Sequence, residues 1–189
     1  MNELWKLPQS VQIGGKSYEI NADFREILKI LAVLDDPGYP EFLRWQVAIR
    51  LFYKGELPPD REAMEYLSFF LRCGAEDTPG PRLLDWEQDA AVIISEVNKA
   101  AGQEVRSLEF VHWWTFLGWF NAIGDGQLAT LISLRDKLRR GKPLEDWERD
   151  FYRQNKSRIE LKKRLSAEEQ AQIQRLQQLL ERGKEDYAR

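Results

Sequence analysis

The 189-residue sequence predicts a mainly α protein: a helical bundle domain with a short N-terminal β-hairpin and a C-terminal helical extension. Three observations predict this class. Apolar residues recur at three- and four-residue intervals from Phe24 onward, strict alternation is confined to residues before it, and Gly or Pro punctuates the periodic segments. Hydrophobic residues make up 43% of the chain and charged residues 31%, a balance that lets one domain bury a core without metals or disulfides. Residues 1–165 read as the helical domain and residues 166–189 as a C-terminal amphipathic helix.

The hairpin occupies about residues 11–20 of "SVQIGGKSYEI". Val11 and Ile13 alternate with polar residues, Gly14-Gly15 form a two-residue turn, and Lys16, Tyr18 and Ile20 resume the alternation. Glycine takes positive φ at little cost, which a primed turn requires at both positions. Pairing Ile13 with Lys16 sets Val11 opposite Tyr18, and a ribbon this small must dock its apolar face on something else.

Helices follow. Asn21 is the expected cap of the first, which carries Phe24, Ile27, Leu28, Leu31 and Leu34 and ends at "DDPGYP". The second carries Phe42, Trp45, Ile49 and Phe52 as one stripe and stops at Gly55. A third runs from Asp60 through Met64, Leu67, Phe70 and Leu71 to Gly74. Asp85 is the expected cap of a fourth, with Trp86, Ala90, Ile93, Val97 and Ala101 at helical spacing and Gly102 at its end. Leu128, Leu131, Leu134 and Leu138 define another, with basic residues opposite, and Leu144, Trp147 and Phe151 anchor the next. "RQNKS" dilutes that pattern. Ser166 and Glu169 form a capping box for a last helix with Ile173, Leu176, Leu180 and Tyr187.

The segment "FVHWWTFLGWFNAIG", residues 110–124, is a candidate membrane span, nucleic-acid platform, substrate site or core. A transmembrane helix needs about 20 apolar residues. Only fifteen positions separate Glu109 from Asp125, and His112, Thr115 and Asn121 are polar. Nucleic-acid platforms set rings in a basic groove, whereas no Lys or Arg occurs from Ser107 to Leu134. The segment therefore reads as a helix about 22 Å long, apolar nearly all round and enclosed on all sides by other helices.

Chemistry is sparse. One cysteine, Cys73, and one histidine, His112, give no zinc pattern. His112 has no nucleophile and orienting acid recognisable around it, so its ring reads as bonded to neighbouring backbone or carboxylate at a helix start. Asp85, Glu87 and Asp89 complement a helix dipole more simply than they hold a metal. "IGGK" lacks the remaining spacing of a phosphate loop. No catalytic residue, metal ligand or cofactor is expected, and the chain reads as a non-enzyme. "MNELWKLPQS" lacks the features of a signal peptide, which makes the cytoplasm of the host the expected compartment.

The net charge of −3 disfavours wholesale nucleic-acid binding. Residues 135–164, however, hold twelve Lys or Arg against six Asp or Glu. This basic stretch is either a solvated helix face, a contact for an acidic partner or a self-association contact.

The order of short motifs resembles a bacteriophage family named for gene product fifteen. The glycine hairpin before Asp23-Phe24-Arg25 is one match, and Phe70-Leu71-Arg72-Cys73-Gly74 is a second. "LDWEQDAAVI" follows, then His112-Trp113-Trp114-x-Phe116 (the most specific) and "LISLRDKL". The resemblance covers about residues 11–165. Ala22 stands where threonine is expected and Trp86 where phenylalanine is commoner, and helix extends beyond Ser166.

The resemblance implies a small protein of a phage or prophage tail-gene module, encoded near the tail-tube gene and before the tape-measure gene. That is where other phages encode tail assembly chaperones. The implied function is a chaperone-type tail assembly protein that binds the tape-measure protein before tube polymerisation, other tail proteins and its own copies being further partners. A structural tail component retained in the virion is the alternative, and nucleic-acid binding through residues 135–164 is a third. The expected contact residues lie outside the core. They are Arg135, Arg139 and Arg140 on the basic face, and the stripe Ile173, Leu176 and Leu180, which either folds back or receives a partner helix. No membrane partner is expected.

Overall fold

A computed structural model describes residues 5–76 and 80–175 of the chain. Strands β1 (Ser10–Ile13) and β2 (Lys16–Glu19) precede seven α-helices. These are α1 (Phe24–Leu34), α2 (Glu41–Phe52), α3 (Asp60–Leu71), α4 (Ala90–Ala101), α5 (Trp113–Asn121), α6 (Gln127–Arg139) and α7 (Asp146–Ile159). Residues 167–175 are helical as well.

The hairpin has the register set by its turn: Ile13 pairs with Lys16 and Val11 with Tyr18, around Gly14 and Gly15 at φ 58° and 79°. Its apolar face docks through Tyr18, whose ring meets Tyr53 edge-on at 6.4 Å. The chain after β2 is a central strut. Asn21 N–H donates to the Phe52 carbonyl at 2.7 Å, and on the other side Trp113 N–H donates to the Ala22 carbonyl at 2.7 Å. Two halves of the molecule are thereby stitched to one extended segment before α1 begins.

That strut changes the capping expected from sequence. Asp23, not Asn21, caps α1, accepting from Arg25 N–H at 2.9 Å. The Asn21 amide instead donates to the Leu51 carbonyl at 2.6 Å, satisfying a free carbonyl at the end of α2. The helix expected from Asp85 also starts later, at Ala90. Residues 86–89 form a turn in which the Asp85 carboxylate accepts from the amides of Glu87 and Gln88, both at 2.9 Å.

The aromatic segment supplies the core but is not enclosed on all sides. α5 has nine residues, about 14 Å at the helical rise. Trp113 and Phe116 are buried, while Trp114, Leu117, Trp119 and Phe120 are half-buried and Phe110, before the helix, is exposed. The two indole N–H groups of Trp113 and Trp114 donate to the carbonyls of Leu71 and Phe70 at 3.0 and 2.9 Å. They thus cap the C-terminus of α3, and a buried indole needs such a partner. Two other expected anchors point outward. Phe42 is exposed because the buried face of α2 is Ala48, Ile49 and Phe52, and Trp147 is exposed because α7 buries Glu148 and Ile159.

Gly126 is the N-cap of α6, where a Cβ would meet a Glu96 carboxylate oxygen at 2.6 Å. That carboxylate, from α4, accepts from Gln127 N–H at the helix's positive end. α7 is kinked at Asn155, inside the diluted "RQNKS" stretch. The Ser166 capping box forms as expected, with Ser166 N–H on Glu169 at 2.9 Å and Glu169 N–H on the Ser166 hydroxyl at 3.2 Å.

Candidate interaction surfaces

An apolar groove of about 520 Å³ runs between α1 and α4. The buried rings of Phe24 and Phe116 and the side chain of Ile93 form its base. Leu28, Trp86 and Ile94 rise half-buried at its sides, and the small exposed residues Ala90 and Ala91 form one rim. Its polar lining residues are Arg25 and Arg106. Arg25 is fixed by Asp23 at 2.9 Å and by the Leu108 carbonyl at 2.6 Å, its guanidinium 4.6 Å above the Phe24 ring. Arg106 pairs with Glu104 at 2.8 Å. A trough of this kind suits an amphipathic helix, whose apolar ridge gains from burial while alanines let the backbones approach.

A second apolar feature is a hollow lined by Val33, Tyr39, Leu43 and Val47, of which Tyr39 and Val47 are exposed, and Phe42 is exposed on α2 as well. Sequence reasoning missed both surfaces. The available signal was the Ile93-Ile94 pair behind Ala90-Ala91, which gives α4 apolar character on two sides.

Below the groove, the 82–89 segment forms a polar joint with the chain around the end of α7. Arg135 is buried there. Its guanidinium donates to both carboxylate oxygens of Asp89, at 2.6 and 2.8 Å. It also donates to the carbonyls of Leu83, Arg158 and Ile159 at 3.0, 2.8 and 2.7 Å, so all five donors are used. Gln88 donates to the Glu160 carbonyl at 2.9 Å and accepts from Lys162 N–H at 2.9 Å. Asp85 accepts from Arg164 at 2.9 Å and from Arg82. Burial alone would raise the Asp85 pKa, but the backbone amides of Gln88 and Glu87 and the Arg164 charge outweigh it, holding the carboxyl at about 2.

These facts relocate the residues expected from sequence. Arg135 does not offer charge at a surface, because Asp89 and three carbonyls hold it inside. Arg139 and Arg140 are exposed, both paired with Asp136 at 2.9 and 2.8 Å. Much of the remaining basic stretch is neutralised by neighbours: Lys137 pairs with Glu148 at 2.6 Å, Arg149 with Asp146 and Arg153 with Asp150. Asp85 and Asp89 are ion-pair anchors, beyond the dipole role expected of them. Ile173 is 40% exposed, and Leu176 and Leu180 lie outside the described residues.

His112 is the N-cap of α5. Its Nδ1 accepts from Trp114 N–H at 3.1 Å, and Nε2 lies 3.0 Å from the Pro8 carbonyl. Burial lowers its pKa, against the pull of that carbonyl. Both ring nitrogens are occupied by backbone. Among the described residues no group of three or more His, Cys, Asp or Glu is placed to hold a metal ion, and no helix is long and apolar enough to cross a membrane.

The motifs singled out from sequence converge in space. Asp23 accepts from Val111 N–H at 3.0 Å, the indoles of Trp113 and Trp114 cap Phe70 and Leu71, and Trp86 packs on Trp113 at 5.9 Å. They build a core and the base of the groove. The family model described as "Bacteriophage Gp15 protein" matches residues 4–161. No curated protein and no solved structure matches the chain.

Proposed function

Since this chain belongs to the bacteriophage Gp15 protein family, we propose that it is a tail assembly protein of chaperone type, covering apolar helices of the tape-measure protein until the tail tube encloses them. The observation that carries this reading is the groove between α1 and α4, lined by apolar side chains apart from Arg25 and Arg106. A very long tape-measure chain exposes amphipathic helices during synthesis, and a helix-in-groove contact buries their apolar stripe without recognising individual side chains. The contact must also be surrendered, which favours a modest groove over a large obligate interface. On this reading the protein works in the host cytoplasm as a binding protein and catalyses nothing.

Co-expression with the tape-measure gene from the same genome tests the proposal. The tape-measure protein should become more soluble and co-purify with the wild-type chain. Ala91→Arg, at an exposed rim position, should abolish capture while leaving thermal unfolding unchanged. Failure of the wild type to co-purify or solubilise would refute the reading.

The exposed apolar side chains of Tyr39, Phe42 and Val47 favour a second reading, a structural tail component in which they are covered in the particle. Mass spectrometry of purified virions separates the two, because a chaperone is absent from the finished particle.

A further inference from the structure

The 85–90 turn has two sides. One side lines the groove: Trp86 packs on Trp113, Phe116 and Phe120 at centroid distances of 5.9, 6.5 and 5.0 Å, and Ala90 continues the wall. The other side clasps the C-terminal arm. Asp85 holds Arg164, Gln88 holds the backbone of residues 160 and 162, and Asp89 holds Arg135, which itself grips the carbonyls of Arg158 and Ile159.

The arm beyond Ile159 is attached by polar contacts. No described residue from 160 to 175 is buried, and Leu161 and Leu165 are only half-covered. Arg164 bridges Asp85 at 2.9 Å and Asp35 at 3.3 Å, and Arg82 reaches the Lys162 carbonyl at 3.4 Å. Hollows of about 400 and 600 Å³ flank the arm where it crosses the end of α1. A segment with little apolar burial opens at lower free energy than the core beneath it.

We propose that seating of the C-terminal arm sets the shape of the groove. With the arm clasped, the turn is held from behind and the Trp86 wall is fixed in a form that receives a helix. When the arm leaves, Asp85 and Gln88 lose their partners on it and the wall loosens, so an occupant of the groove is released. A ligand that captures the arm would therefore free the helix without competing for the groove. This inference rests on the reading of the groove as a helix site only for its consequence; the link between arm and wall is a property of the free protein.

The test uses full-length protein, hydrogen exchange resolved by segment, and titration with a synthetic amphipathic peptide bearing a Leu/Ala stripe. Arg164→Ala and Gln88→Ala each remove an arm contact without touching a groove-lining side chain, and Arg164→Lys serves where alanine impairs folding. Lys163→Ala is the control, because Lys163 pairs with Glu169 within the arm at 2.6 Å.

In the arm-contact variants, exchange should rise in residues 158–165 and also in residues 86–94, and the peptide Kd should increase about fivefold. The control should match the wild type. Faster exchange confined to the arm, with the 86–94 segment and peptide affinity unchanged, would overturn the proposal. If the wild type binds no peptide but residues 86–94 still loosen with the arm, the groove reading falls and the coupling stands.

Discussion

Asp89 and Arg135 lie 46 residues apart in the chain, yet they form a two-point ion pair at 2.6 and 2.8 Å, with side chains only 3% and 4% exposed. Neither charge has water to fall back on, and the three carbonyls on Arg135 complete its coordination. The pair joins the start of α4 to α6, and through Arg158 and Ile159 it terminates α7 as well.

Removing one partner should therefore be severe. Asp89→Asn or Arg135→Met is expected to cost about 3–5 kcal/mol, because each leaves an uncompensated group inside. The double variant should be less destabilised than the sum of the singles, and denaturant unfolding of all four proteins measures that coupling.

Stability should fall on acidification in two separate limbs. His112 is depressed in the fold, so the unfolded chain binds the proton first. Its contribution is complete above about pH 6.5 and declines as pH drops below that value. His112→Asn keeps a capping side chain and should flatten this limb in melts between pH 5 and pH 8. Asp85, held at about 2 against an ordinary 3.8, contributes to the second limb with the other depressed carboxylates, and its share is present above pH 3.8 and lost as pH falls through about 2.

The rings of this chain should divide sharply under mutation. Trp113→Ala removes a buried ring and the cap on the Leu71 carbonyl, and is expected to cost about 3–5 kcal/mol. Phe42→Ser and Trp147→Ser, at exposed positions, should change stability by no more than about 0.5 kcal/mol. Urea unfolding monitored by circular dichroism distinguishes the two groups.

Cys73 should react slowly while the protein is folded. Burial pushes its thiol up to about 12, leaving almost no thiolate near neutral pH. Labelling with a disulfide reagent at pH 8 should be slow in buffer and should approach the rate of a free thiol in denaturant. Fast labelling of the native protein would contradict the burial at this position.

What the sequence determined by itself is local. Two glycines that accept positive φ set the hairpin register of Val11 opposite Tyr18, and Ser166 with Glu169 satisfied each other's amides, because the atoms involved are three or four residues apart. His112 was legible as a ring bonded to backbone, and Trp113 as core, from their chemistry and spacing. Only the tertiary structure decided which member of a similar set goes inside. Arg135 and Arg139 lie on α6 and Arg140 caps its end, and Arg135 alone meets Asp89 from a segment 46 residues away. The same kind of distant partner moved the α1 cap from Asn21 to Asp23 and left Phe42 and Trp147 outside. It also made a groove from the facing sides of α1 and α4. Helices and turns follow from forces acting within one turn of chain, whereas burial and clefts follow from which surfaces meet.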